Sequence, residues 1–305
     1  MDPHEPGWEL YRAFLAVLQH GSLSGAARAL GLTQPTLGRH VDALEQALGL
    51  PLFTRSQHGL APTEAALELR PYAETLAATA AALLRVASGQ GGQVRGTVRI
   101  TASEVIGAEV LPSILARLRQ AQPELVIELV LSNKTEDLLR RDADIAVRMH
   151  HPVQEALVAR HLGTIELGLH AHPHYLAHCG RPASLDDLRS HTLVGFDQET
   201  GMTRRLRARG IPLHRGLFAL RADSDLAQLA AIRAGFGIGV CQVALAQREP
   251  RLLRVLPGAF SFQLDTWLAM HEDLRASPRC RATFDALAAG LSDYIASASQ
   301  VSGLG

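Results

Sequence analysis

Residues 22–45 constrain this chain more than any other stretch, because they read as two short helices joined by a tight turn. Leu23, Ala26, Ala27 and Leu30 give one small apolar face, Gly31 closes the first helix as a glycine C-cap, and Leu32 is the apolar filling of the turn. A second helix starts sharply, with Thr33 as N-cap and Pro35 in the first turn, where a missing N–H costs little. Leu37, Val41, Leu44 and Leu48 recur on its inner face, and Gln34, Thr36, Gly38, Arg39 and His40 occupy the other. An apolar back with a short, donor-rich front fits the major groove, where Arg pairs with guanine and Gln with adenine. A helical hairpin buried in an all-α core would share the apolar spacing, but several start and stop signals coincide here.

Residues 11–66, with the run AFLAVLQHGSLSGAARALGLTQPTLGRHVDALEQALGLPLFTRSQHGLAPTEAA, resemble the winged helix-turn-helix of LysR-type transcriptional regulators, and the resemblance continues nearly to the C-terminus. Two positions depart from the family pattern. Gly38 stands where the family usually has Ser ahead of Arg39, and Ala66 where it often has Gly. Losing the hydroxyl at Gly38 removes a phosphate contact without threatening the fold.

The resemblance implies the fold class: an N-terminal all-α winged helix-turn-helix with a linker helix, then a C-terminal α/β two-lobed effector domain like a periplasmic binding protein. It places the DNA-binding domain at 1–62, a dimerising linker helix at 63–87, a hinge at 88–96 and the effector domain at 97–305. Lobe 1 would comprise about 97–164 and 267–300, and lobe 2 about 165–266. Gln34, Thr36 and Arg39 are expected at base edges, with Thr33, Arg55 and His58 nearer the phosphates and Pro35 in the same contacting turn. The structural alternative for Arg55 is an ordinary surface arginine.

Charge argues against a uniformly basic DNA-binding surface. The whole chain balances 30 basic against 30 acidic side chains, and residues 1–62 hold Arg12, Arg28, Arg39 and Arg55 against Asp2, Glu5, Glu9, Asp42 and Glu45. Affinity must then come from placement, from helix N-termini and from doubling in a dimer, with a shallow salt dependence. Lys134 is the single lysine. Arg-dominated charge suits bidentate contacts, and it equally suits a genome of biased base composition.

A length of 305 residues and 47% hydrophobic content suit roughly two domains with ample cores. The acidic N-terminal stretch with Trp8 is unlike a signal peptide, and no membrane-length apolar segment occurs, so a cytoplasmic protein without membrane association is expected. Cys179, Cys241 and Cys280 are odd in number and scattered, against a disulfide framework.

In chain order, residues 7–20 read as a scaffolding helix ended by Gly21, with Leu10, Phe14, Val17 and Leu18 inward. The run Gly49-Leu50-Pro51-Leu52-Phe53 re-enters the core, and residues 54–62 form a β-hairpin wing. Residues 63–87 read as a long helix with Leu69, Leu76 and Leu83 at heptad spacing and Tyr72 near that seam. An interior Pro71 costs ~3 kcal/mol, which predicts a kink or break near residues 67–71. SGQGGQVRG at 88–96 reads as a hinge.

Strand and helix then alternate: strand 97–101, helix 107–120, strand 125–131, short helix 135–141, strand 145–149. Such βαβαβ order predicts a parallel sheet with ligands outside the carboxyl ends of its strands. A second set has strands near 167–170, 193–196 and 217–220, a helix at 225–234 and a strand after Gly239. Strand 267–271 and helix 278–296 follow. The resemblance implies that the chain crosses to the second lobe near Thr164 and returns near Thr266.

Strand-end logic nominates the effector-binding residues: Ser103 after the first strand, Ser132, Asn133 and Thr135 after the second, Arg148 and His150 after the third. Phe196 and Ser224 would close the cleft from the other lobe. Helix N-termini beside such groups favour an anion, so a small carboxylate is the expected effector class. Plain helix capping explains Ser103, Thr135 and Ser224 equally well.

Four other readings compete. HAHPHYLAHC places His170, His172, His174 and His178 beside Cys179, a composition open to Zn, Ni or Cu sensing, yet Pro173 and the strand-to-helix change scatter the imidazoles. A redox switch through Cys179 and Cys241 lacks any neighbour that would lower a thiol pKa. An enzyme would need a catalytic motif; the chain has no Walker loop, nucleophile elbow or HExxH, and Gly235 to Gly239 is only GxGxG ahead of a strand. A transport-type binding protein would leave the N-terminal hairpin unused. The expectation is a non-enzymatic regulator without cofactor or bound metal, partnered by an inverted-repeat double-stranded DNA site, a small-molecule effector and its own copies as a dimer and tetramer. RNA polymerase is the further expected partner.

Overall fold

Gly21, Gly31 and Gly49 each take the left-handed conformation at the end of a helix, at φ of +66°, +67° and +68°, and so divide the N-terminal residues into α1 (Trp8–His20), α2 (Leu23–Leu30) and α3 (Gln34–Leu48). Only glycine occupies that region without a Cβ penalty, which fixes the stops. The starts are equally local: the Ser22 hydroxyl accepts the Gly25 N–H at 3.2 Å, and the Thr33 hydroxyl accepts that of Thr36 at 3.4 Å. The computed structural model describes residues 5–56, 59–88, 94–133, 143–152, 157–209, 211 and 213–299. Among these the chain divides into two units, the first ending at Ala87 and the second beginning at Ser88.

In the first unit Val17, Ala26, Ala27, Leu37 and Val41 bury together, and Phe14, Leu15, Leu44, Leu52 and Ala66 form an adjoining cluster. Leu32 departs from expectation. It is 37% exposed rather than filling the turn. β1 (Phe53–Ser56) and β2 (Gly59–Pro62) pair antiparallel as the wing. Glu45 of α3 accepts the N–H groups of Leu52 at 2.6 Å and Phe53 at 3.1 Å, which ties the entry of the wing to α3. The N–H of Leu60 reaches Gly21 O at 3.2 Å, and a Cβ on Gly59 would stand 2.8 Å from that same oxygen. Hence the wing can close on the α1–α2 turn only with glycine there.

α4 (Glu64–Ser88) runs through Pro71 without a break. The expected break near residues 67–71 is therefore not found. The ring removes only the donor that would serve Leu67, while the Pro71 carbonyl stays engaged, accepting the Thr75 hydroxyl at 2.9 Å. Leu67, Tyr72, Leu76, Leu83 and Leu84 are exposed along α4.

The second unit is built on a mixed sheet. β3 (Gly96–Ala102) pairs parallel with β4 (Leu125–Leu131) and β5 (Ile145–Arg148), as βαβ alternation requires. The intervening helix begins differently from expectation: Ile106–Val110 is a π-turn, and α5 follows as Leu111–Ala121. The short helix expected at 135–141 lies outside the described residues, as does most of the expected hinge.

β6 (Leu157–Ala171) begins ten residues before the strand expected at 167, and its exposed or half-buried first half explains why no apolar pattern announced it. After it come α6 (Pro173–Cys179), β7 (Leu193–Gly195), α7 (Gly201–Ala208), β8 (Phe218–Arg221), α8 (Asp225–Arg233), β9 (Gly239–Gln242), α9 (Val243–Ala246) and β10 (Leu253–Val255). β11 (Phe262–His271) and α10 (Pro278–Ser299) complete it.

The sheet order is β10-β6-β11-β5-β3-β4, with β9 also on β6. β6 and β11 are the long members and run antiparallel through the centre, with Thr164 opposite Asp265, Gly163 opposite Thr266 and a register break between Thr266 and Trp267. Two apolar cores flank this crossing. One gathers Val98, Ile100, Ile114, Ile145, Leu268 and Leu291, the other Leu169, Tyr175, Leu188, Phe218, Phe260 and Phe262. We call them the first and second lobes.

Candidate functional site

The outer face of α3 is the first candidate. Gln34 and Arg39 are exposed, and the cap that starts the helix also arranges them. The hydroxyls of Thr33 and Thr36 meet at 2.8 Å, the Ser24 hydroxyl donates to Gln34 Oε1 at 2.7 Å, and Arg39 Nε leans toward Pro35 O at 3.4 Å. Thr33, Gln34, Pro35, Thr36 and Arg39 thus share one exposed turn and a half. Their Oγ, amide and guanidinium groups can address base edges and phosphates. Gly38 leaves room: a Cβ there would meet only Leu23 Cδ1, at 3.9 Å. His40 is a correction to the face read from spacing, because it is half-buried with Nδ1 enclosed and hydrogen-bonded to none of the described residues. Arg55 has its backbone in β1, its side chain is outside what is described, and His58 lies outside the described residues.

The second candidate is a cavity of about 420 Å³ between the two lobes. The carboxyl ends of β3, β4 and β5 supply Ser103, Ser132, Asn133, Arg148 and His150 to its wall, and Phe196 comes from the other side. These six were nominated from the sequence and share one space. Val105, Leu167, Leu229, Val240 and Leu264 provide its apolar surface. A pocket of this size, mostly apolar with a few convergent polar groups, suits a small organic molecule.

Arg148 is 2% exposed and its guanidinium donates to Thr101 Oγ1 at 2.9 Å and to Val147 O at 3.3 Å. That fixes a positive charge in the first-lobe wall. Burial, and then the Arg148 charge, hold the His150 imidazole below its ordinary pKa, so it is a neutral donor or acceptor near pH 7.

Two of the nominated residues are not among those six. Thr135 lies outside the described residues. Ser224 is not among the residues lining the cavity; its hydroxyl caps α8 by accepting the Ala227 N–H at 3.4 Å and donates to Glu104 Oε2 at 2.9 Å. The same Glu104 oxygen accepts the Leu226 N–H at 3.3 Å. The N-terminus of α8 is therefore occupied by a carboxylate from the first lobe, so a ligand anion has no place there.

Sequence reasoning passed over Glu104, Asp223 and Asp225. Asp225 accepts from Asn133 Nδ2 at 2.8 Å, while Asn133 Oδ1 accepts the Glu104 N–H at 3.1 Å. Burial, then the adjacent Glu104 charge, push the Asp225 carboxyl up to about 6. Asp223 Oδ1 accepts the N–H groups of Asp197 at 3.0 Å and Gln198 at 2.8 Å. The signal available was the run Asp223-Ser224-Asp225 at a helix start, read only for its cap. A second link between lobes joins Arg233 to Glu109 through paired contacts of 2.7 and 2.8 Å; this guanidinium holds the Glu109 carboxyl below its ordinary range.

The histidine-rich segment does not converge. His170 is 1% exposed, bonds Gly168 O through Nδ1 at 3.0 Å and has its pKa pushed down to about 4, chiefly by burial. His172 caps α6 instead, and the rings of His174 and His178 meet at 4.3 Å, tilted by 57°. Among the described residues no three His, Cys, Asp or Glu side chains stand close enough to share a metal ion. Burial pushes the Cys241 thiol up to about 12, the opposite of a redox-poised cysteine.

Comparison with known proteins gives the family of each part of the chain. Residues 8–67 match the model of the bacterial regulatory helix-turn-helix protein, lysR family, and residues 91–292 match the LysR substrate binding domain. An HTH-type transcriptional regulator of Xanthomonas campestris is 31% identical over 187 residues, 60% of this chain, which spans about half (53%) of that relative. The regulator PtxR of Pseudomonas aeruginosa is 30% identical over 81% of this chain and 80% of its own length. Full-length CbnR, solved in complex with its target DNA, shares the fold at a TM-score of 0.66, with 19% identity over 93% of this chain and 99% of that one.

Proposed function

The chain belongs to the LysR family of bacterial transcriptional regulators, a DNA-binding helix-turn-helix joined to an effector domain, and from that premise we propose that α3 reads an inverted-repeat operator while a small carboxylate in the cleft sets the output. The observation that carries the proposal is the first turn and a half of α3, on which Gln34, Thr36 and Arg39 are held by Ser24, Thr33 and Pro35. Arg39 and Gln34 take the base edges, and Thr33, Arg55 and His58 the phosphates.

In the effector domain the carboxylate pairs with Arg148, and Ser103, Ser132 and Asn133 supply further polar contacts. Closure of the lobes on it alters the balance between two arrangements of the DNA-binding pair, to the extent that the effector binds them unequally. The exposed leucines of α4 join two protomers, and effector domains pair these dimers into a tetramer. RNA polymerase is the partner on which an activated complex acts. Function in the cytoplasm, with the DNA, follows. The role is regulatory rather than catalytic, and the raised Cys241 pKa in the cavity wall argues against a nucleophile there.

Arg39→Ala tests the DNA assignment. It should cost about 1–3 kcal/mol of specific binding and relax one base position. Equal loss on operator and random DNA would contradict base reading by Arg39.

A further inference from the structure

We propose that the effector is an amino-carboxylate, its anionic group held at Arg148 on the first-lobe wall and its protonated amine held by Asp225 on the second. The inference rests on the effector reading above and adds the second functional group.

The two walls carry opposite chemistry. The first presents Arg148 with the hydroxyls of Ser103 and Ser132; the second presents Asp223, Asp225 and Gln228, whose Nε2 is committed to Ala222 O at 2.7 Å. A simple carboxylate would satisfy the first wall and leave acceptors facing its tail. The usual anion site of the second wall, the N-terminus of α8, is already filled by Glu104. What remains there is a carboxyl beside another carboxylate. Asp225 has an amide donor in Asn133, but among the described residues no cation pairs with it.

Burial and the like charge of Glu104 both penalise ionised Asp225. An ammonium placed against it reverses both penalties, since the pair is neutral and charge-assisted hydrogen bonds are the strong ones. Asp225 is then the residue that separates amino-carboxylates from their des-amino analogues. A site built to pair a polar group discriminates strongly against a ligand lacking it.

The test uses the full chain in calorimetric titrations and thermal-shift assays with matched probes: L-leucine and 4-methylpentanoate, L-phenylalanine and 3-phenylpropanoate, L-glutamate and glutarate, 4-aminobutyrate and butanoate. Magnesium and calcium chlorides are run alone. The expected result is that at least one amino-carboxylate binds about tenfold or more tightly than its partner. At pH 6 its binding releases protons, Asp225→Asn abolishes the preference while keeping the plain carboxylate, and Asp225→Glu retains part of it. The Asn variant keeps an acceptor for Asn133, and unliganded melting of both variants checks folding. Plain carboxylates binding as well as amino-carboxylates, a preference that survives Asp225→Asn, or Asp225-dependent stabilisation by either metal alone would overturn the proposal and leave the effector reading standing. If no probe of either set binds or alters DNA protection, the effector reading falls and this inference with it.

Discussion

Glu104 and Ser224 meet across the cleft at 2.9 Å, so a carboxylate from the end of one lobe's first strand occupies the helix start of the other lobe. The chain thereby supplies its own anion to a site where an effector anion was expected.

That contact contributes to the stability of the effector domain. Glu104→Ala removes two hydrogen bonds to the start of α8 and is expected to cost about 1 kcal/mol, since the group is partly exposed. Arg233→Ala breaks the paired contact with Glu109 and should cost about 1–2 kcal/mol. Chemical denaturation followed on the effector-domain transition measures both, and unchanged midpoints would show that the lobes do not depend on these links.

Asp225 gives a pH dependence. Its pKa is raised from 3.8 to about 6 in the folded chain, where Glu104 and Asn133 face it, so the folded state holds the proton more tightly. Stability contributed by this group is present below pH 4 and is lost as pH rises through about 6. Asp225→Asn should therefore raise the melting temperature at pH 7.5 and bring little change at pH 4. A larger gain at pH 4 would reverse the assignment.

Gly38→Ser is expected to stabilise α3 by about 0.5 kcal/mol through helix propensity, since the added Cβ meets only ordinary van der Waals contact. It should also tighten operator binding severalfold through a hydroxyl–phosphate contact, with an unchanged salt slope because no charge is added. Leu37→Ala, at a fully buried position in the same helix, should instead cost about 2–5 kcal/mol and abolish binding by unfolding the domain. Circular dichroism melts beside binding isotherms separate the two.

Leu76 and Leu83 are 47% and 68% exposed on α4. Leu83→Asp should leave the fold of the protomer intact and weaken self-association by tenfold or more, at roughly 1.5–3 kcal/mol per buried leucine. Sedimentation velocity would refute this by showing an unaltered assembly.

The helix-turn-helix was legible because its information is local. Gly21, Gly31 and Thr33 act within a turn of where they stand, and each sets one helix boundary. Exceptions lay where packing decides: Leu32 and His40 sit on faces that spacing alone misassigns. The cleft was half legible. Strand ends gave Ser103, Ser132, Asn133, Arg148, His150 and Phe196, whereas Glu104 and Asp225 acquire their meaning only from contacts across the cleft, more than ninety residues apart in the chain. The first half of β6 was hidden for a related reason. It pairs with β11, a hundred residues on, and its exposed face carries no alternation.

The measurement that tests the account most directly is a footprint of the purified protein on its own upstream intergenic DNA, at two salt concentrations, beside the Arg39→Ala variant. The N-terminal domain lacks net positive charge, so recognition must rest on placed contacts. A protected region with dyad symmetry, retained at the higher salt and lost in the variant, is the predicted result. No protection at either salt, or protection that Arg39→Ala leaves intact, would contradict the reading of α3 as the element that recognises DNA.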